Sequence, residues 1–262
     1  MIEMKNRNTI YLRIVNLFAF IAMVLMNVLS ETLPLNGVTT AEVSDRYVSL
    51  FTPAGLTFAI WFVIYSGLAY FTIWQLTAAT DEDVERIGMS FALSCALNIL
   101  WLVLWHFDMI YLATIVILAL LVNLYDLMHR TSGENFLVRS VFSVYLAWIT
   151  VASIASLFIA AGKMFDSFAL GTFAQILVWA AILMILFLTY MRLRNGKDYA
   201  YALTMIWAIA GVGNARISAG SLAIGFDHIL LGVLLALVLI LVMIELTVSG
   251  TIRKDPIADS AS

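Results

Sequence analysis

The sequence predicts an all-α fold, a polytopic membrane helix bundle with no soluble domain large enough to fold beside it. Three observations carry this. Hydrophobic residues make up 63% of the 262-residue chain and charged residues 12%, against roughly 45–50% and about 25% in soluble domains. The apolar residues fall in runs of about 20, the number a helix needs to cross about 30 Å of hydrocarbon. The basic residues, finally, collect on alternate connections between those runs.

Cutting the runs at charge clusters, glycine and proline predicts eight spans, over about 10–30, 53–79, 88–105, 109–128, 136–161, 167–190, 199–215 and 227–248. The first follows Lys5, Arg7 and Arg13 as a signal peptide would. It lacks a small-x-small cleavage site before Glu31 and is read as a retained helix. The connection 31–52 carries Pro34, Gly37 and four charges, and is expected to fold over one mouth of the bundle. The second span opens with Pro53, a residue accepted in a first helical turn. The run Asp81, Glu82, Asp83 and Glu85 before the third span reads as a solvated turn. In the seventh span Gly211, Gly213, Asn214 and Arg216 interrupt the pattern, so that helix is expected to end early or break. Residues from Arg253 to Ser262 read as a polar tail.

With eight spans, Lys5, Arg7, Arg13, Arg86, Arg130, Arg139, Arg192, Arg194, Lys197, Arg253 and Lys254 face one side, and only Arg46, Lys163 and Arg216 face the other. Lys and Arg accumulate on the cytoplasmic side. Eleven against three therefore predicts a multi-pass protein of the cytoplasmic membrane with both termini cytoplasmic. The net charge is −3 and no basic stretch alternates with aromatics, which excludes nucleic acid as an expected partner. The single cysteine, Cys95, offers neither a disulfide nor a thiolate metal site. Neither a phosphate-binding glycine loop nor an H-E-x-x-H pattern occurs, so no cofactor or metal is implied. His106, His129 and His228 stand at span ends and read as interfacial, and the acids Asp108, Asp126, Asp227 and Glu245 as groups snorkelling to the interface.

Polar side chains within spans are kept on faces turned toward other helices or a cavity, because hydrocarbon offers them no partner. Ser94, Asn98, Trp101 and Trp105 share one face of the third span at steps of four, three and four. Tyr145, Trp148, Ala152 and Ser156 do the same in the fifth, and Phe58, Trp61 and Tyr65 in the second. Singly these are ordinary interfacial or packing residues. Together they form aromatic and polar stripes on three helices, which suits a pocket for a flat apolar ligand. On the other side of the fifth span Ser143, Ala147, Val151 and Ala155 form a small-residue face for helix packing.

Three segments carry a family resemblance: FTPAGLTFAIWFVIYSGLAY at Phe51–Tyr70, ALNILW at Ala96–Trp101 and VYLAWITVA at Val144–Ala152. In order and spacing the chain resembles, over roughly residues 10–161, the tryptophan-rich sensory protein or translocator protein (TspO/MBR) family. The resemblance implies a five-helix region over 1–165; the remaining spans then form a three-helix extension over 166–250, ahead of the tail 251–262. It implies a pocket opening toward the first long loop, binding of tetrapyrroles or sterol-like molecules, and a fold in which dimerisation, here as a homodimer, is common; the expected role is binding or sensing without covalent chemistry. Carried over, Trp61, Tyr65, Asn98, Trp101, Tyr145 and Trp148 line or buttress that pocket; with Pro53 and Ser156 they are the expected ligand-binding residues, Asn98 or Ser156 supplying a directional hydrogen bond. The chain departs from the family at Phe51–Gly55, where the aromatics associated with porphyrin handling are missing, and at Ser156–Leu157, where the family commonly has Asn-Trp. Loose sterol patterns occur at Leu188–Tyr190–Arg192 and Val122–Tyr125–Arg130. The rival functions are a secondary transporter, which the glycine-rich seventh span favours, and light-dependent degradation of porphyrin.

Overall fold

The computed structural model describes residues 2–33, 35–47, 49–131, 135–165, 168, 171–218 and 228–250. Among these the chain forms ten α-helices, two short 3-10 turns and no strand. They are α1 (Ile2–Thr32), α2 (Thr40–Asp45), α3 (Ile60–Thr77), α4 (Asp81–Ile87), α5 (Ser90–His106), α6 (Ile110–Arg130), α7 (Phe136–Met164), α8 (Thr172–Gly196), α9 (Tyr199–Ser218) and α10 (His228–Val248). Asp227, the polar tail with Arg253 and Lys254, and the side chain of Lys5 lie outside the described residues.

Helices satisfy every backbone group internally, which hydrocarbon demands. Six helical segments are long and apolar enough to cross a bilayer alone: α1, α3 with the 3-10 turn before it, α6, α7, α8 and α10. At 17 residues α5 is short, but with α4, bent from it by 41°, it makes a seventh as one broken span. The expected seventh span, α9, is long enough but too polar to qualify. It is packed instead: Tyr201, Met205, Ala208, Ile209 and Val212 are buried against α7, α8 and α10. A helix surrounded by helices needs little apolar surface for lipid.

Burial ranks the helices. In its most apolar stretch α7 is 72% buried, α1 only 11%. The hub is therefore α7, which packs on α3, α6 and α9, while α1 lies at the edge against α3 and α5. The short connections make sequence neighbours antiparallel and define two ends of the bundle. At the loop end lie residues 35–47 and 49–59, Asp108 and Lys163; at the other, the terminal end, lie Arg13, Asp81, Arg139 and Asp198.

Four expectations are corrected. Pro53 does not sit in a first helical turn; it is buried in extended chain ahead of the 3-10 turn Gly55–Ala59, and α3 begins only at Ile60. The acidic run is not a turn but α4, because Thr80 and Asp83 close a reciprocal capping box at its start. The seventh helix neither ends early nor breaks, running through Gly211 and Gly213 to Ser218. His106 is not interfacial: it is fully buried, with Nδ1 2.8 Å from the Leu102 carbonyl and Nε2 without a partner.

The loop 31–52 does fold over its mouth. Thr39 and Glu42 cap α2, and Trp105 Nε1 donates to the Thr40 carbonyl at 3.1 Å. Asn36 Nδ2 donates to the His106 carbonyl at 3.1 Å.

Candidate functional site

Trp61 is the centre of the aromatic cluster. Its ring centroid lies 5.4 Å from Tyr65, 6.1 Å from Trp101, 6.1 Å from Tyr145 and 6.2 Å from Trp148. The stacked and edge-on geometries are those aromatic quadrupoles prefer. Phe58 meets Trp148 edge-on at 5.7 Å, and Trp105 stacks on Trp101 at 5.7 Å. The helical spacing in α3, α5 and α7 thus brings all three stripes together, and Asn98, Trp101, Tyr145 and Trp148 are buried.

A hydrogen-bonded chain runs behind the rings. Tyr65 OH donates to Asn27 Oδ1 at 2.6 Å, Asn27 Nδ2 to Asn98 Oδ1 at 2.9 Å, and Asn98 Nδ2 to Tyr145 OH at 3.2 Å. It ties α3, α1, α5 and α7 together. Asn98 is therefore occupied on both its oxygen and its nitrogen by protein, and acts as a buttress. Asn27, which completes the chain, was not among the residues selected from spacing. Its signal was available, since an amide inside an otherwise apolar run needs a partner in hydrocarbon.

Two cavities adjoin the cluster. The inner one, about 30 Å³, lies among Pro53, Trp61, Trp101, Trp148 and Ser156. A water needs about 10–15 Å³ of such space, so it admits one or two waters and no larger molecule as it stands. Three polar atoms on its wall, Trp101 Nε1, Trp148 Nε1 and Thr52 Oγ1, are buried without a partner. The outer cavity, about 480 Å³, lies between α1 and α3 and is lined by Asn27, Glu31, Phe58, Trp61, Tyr65 and Trp101. Phe58, Trp61 and Trp101 belong to both walls, so their rotamers divide one space into two. Tyr145 and Asn98 stand behind the wall, in neither lining.

The extended segment at Pro53 is held from α9. Ala54 N–H donates to the Gly211 carbonyl at 3.0 Å, and Trp207 Nε1 to the Thr57 carbonyl at 2.9 Å. A Cβ on Gly211 would run into the Thr57 side chain, so this glycine serves a close approach and does not mark a helix break. Neither Trp207 nor Gly211 showed this role in the sequence, because both partners are more than 100 positions away.

A family model described as TSPO-like protein matches residues 13–246. The chain belongs to the TSPO-like protein family. No curated protein and no solved structure matches it. The family match of this TSPO-like chain runs past residue 161, where the resemblance read from the motifs ends, and takes in α8, α9 and most of α10. The last three helices are thus within the family's pattern, and α9 contributes by fixing the Pro53 wall.

The loop end carries a second cluster. Lys163 Nζ reaches Asp108 Oδ2 at 2.7 Å and Tyr47 OH at 3.1 Å, and Tyr47 OH donates to Asp108 Oδ1. Burial pushes the Asp108 carboxyl up, but hydrogen bonds from Lys163 and Tyr47 outweigh it and hold its pKa below the usual carboxylate value. Burial, then the bond to Asp108, pushes the Tyr47 phenol up. Asp108 was expected merely to snorkel; instead it pins the loop to the end of α7. Among the described residues no three His, Cys, Asp or Glu side chains gather as a metal site.

Proposed function

We propose that this TSPO-like protein is a translocator-type binding or sensory protein of the cytoplasmic membrane, holding a flat hydrophobic ligand without covalent chemistry. The ligand class is tetrapyrrole- or sterol-like. One observation carries the reading: Trp101 and Trp148, both in the wall of the inner cavity, have buried indole N–H groups without a partner. A buried N–H without an acceptor costs about 1–3 kcal/mol. A ligand oxygen entering between α1 and α3 removes that cost, while its apolar face replaces the Phe58 and Trp61 rings as packing partner. The charge asymmetry of the connections supports cytoplasmic termini, with the pocket at the opposite side.

The test is titration of the purified full chain with a tetrapyrrole and with a sterol, followed by tryptophan fluorescence. Trp101→Phe and Trp148→Phe each remove one donor and are expected to weaken binding about fivefold, the worth of about 1 kcal/mol. Affinity unchanged in both variants removes the pocket assignment. Accumulation of ligand inside proteoliposomes would replace the binding role by transport. Loss of porphyrin absorbance on illumination would replace it by photochemical degradation.

A further inference from the structure

A second space lies on the other side of α7, away from the aromatic cluster. There α8 leans on α9 and α10 and stands off α7, leaving a groove open toward lipid. The half toward the loop end is about 730 Å³, walled by Phe158, Ala161, Phe165, Phe173, Leu177 and Ala181. The half toward the terminal end is about 420 Å³, walled by Leu121, Tyr125, Leu146, Ser153, Leu188 and Arg192. Ile154, Leu157 and Met184 belong to both, so the halves adjoin. From Leu146 to Phe165 a helix rises about 28 Å at about 1.5 Å per residue, close to the full hydrocarbon thickness.

Two features of the wall restrict what fits. The first is Ser153, 2% exposed, whose Oγ has no hydrogen-bond partner. Four buried threonines in the spanning helices return to a carbonyl one turn back: Thr72 to Leu68, Thr114 to Ile110, Thr150 to Leu146 and Thr189 to Ile185, all at 2.8 Å. Ser153 had the same option and is found without it, beside a space that water does not reach in a membrane. The second is charge. Among the described residues Arg192 is the one charged side chain on either wall, and Asp198 holds it at 2.6 and 3.0 Å. Among the described lining residues no unpaired cation is offered to an anionic headgroup.

We infer that this groove is a second binding site, for a neutral, elongated molecule dissolved in the bilayer whose single hydroxyl or carbonyl oxygen is held by Ser153. It shares α7 with the aromatic pocket but none of that pocket's lining residues apart from the helix backbone. Its occupant enters sideways from lipid, since Leu157 and Met184 at the junction are themselves exposed.

The experiment uses the full chain in lipid nanodiscs with two photoactivatable probes, a diazirine-bearing hexadecanol and the matching hexadecane. Both are expected to label peptides of α7 and α8 more than the lipid-facing side of α1. Ser153→Ala should lower hexadecanol labelling about fivefold, as loss of one neutral hydrogen bond does, and leave hexadecane labelling unchanged. Leu157→Trp, a substitution at an exposed position, should fill the junction and lower both. Tetrapyrrole titration should be the same in Ser153→Ala as in the wild type, which separates this site from the aromatic pocket. Labelling spread evenly over all lipid-facing helices, or equal loss of both probes in Ser153→Ala, overturns the inference. So does a crosslink between two copies of the chain across the groove, which would make it a dimer interface.

Discussion

Asn98 shows how much one amide can organise in hydrocarbon. It accepts from Asn27 and donates to Tyr145, so Asn98→Ala breaks two bonds and strands the groups left behind. Interhelical hydrogen bonds in membranes average only about 0.6 kcal/mol, but a stranded buried group costs about 1–3 kcal/mol. The second effect wins, and Asn98→Ala is expected to lower the thermal midpoint in detergent by an amount corresponding to about 1–3 kcal/mol. Gly211 acts through the absence of a side chain. Gly211→Ala puts a methyl into Thr57, and forced overpacking of that kind costs about 1–3 kcal/mol. Its signature is a shifted midpoint together with weakened tetrapyrrole binding, because the Pro53 wall moves with Thr57. A variant with unchanged binding would show that α9 does not position the pocket.

Two contacts between elements govern how the bundle closes at its ends. At the terminal end the buried Asp198 accepts from Ser143 on α7 at 2.8 Å and from Arg192 on α8, and from the Tyr201 backbone at the start of α9. This is where the last three helices are fastened to the hub. At the loop end the Tyr47, Asp108 and Lys163 cluster pins the loop carrying α2. The sign of its pH dependence follows from the lowered Asp108 pKa. A carboxyl with a folded-state value below its unfolded value of about 3.9 contributes stability above that pH and loses it as pH falls through the folded value. The loop is therefore held at neutral pH and is expected to loosen below about pH 4. Hydrogen-exchange protection of residues 40–47 reports this, and Asp108→Asn should show the low protection already at pH 7. Protection independent of both changes would mean that the capped α2 and Trp105 hold the loop unaided.

For the whole molecule the charge asymmetry sets a testable orientation. In a Cys95→Ser background, Asp45→Cys and Glu82→Cys place single thiols on exposed sites at opposite ends. With cytoplasmic termini, an impermeant thiol reagent added to intact cells labels position 45 and not position 82. The reverse pattern inverts the protein and places the aromatic pocket on the cytoplasmic side.

The sequence by itself determined the solvent and the class of fold. Long apolar runs with few charges admit only helices in lipid, and each expected span overlaps one helix, with ends that differ by up to eight residues. It also determined which faces of α3, α5 and α7 meet, because helical spacing places Trp61, Trp101, Tyr145 and Trp148 on single stripes and polar or amphipathic groups turn away from lipid. Only the tertiary structure decided what those faces enclose. The stripes fill most of their own space, so the ligand-sized cavity moved outward between α1 and α3, and Asn98 was taken up by Asn27. Only the fold, likewise, brought Gly211 to Thr57 and left the buried Ser153 hydroxyl without a partner in the wall of the groove beside α8. The physical reason is common to all of these: periodicity along a helix specifies a direction, whereas the partner met in that direction depends on how distant helices pack.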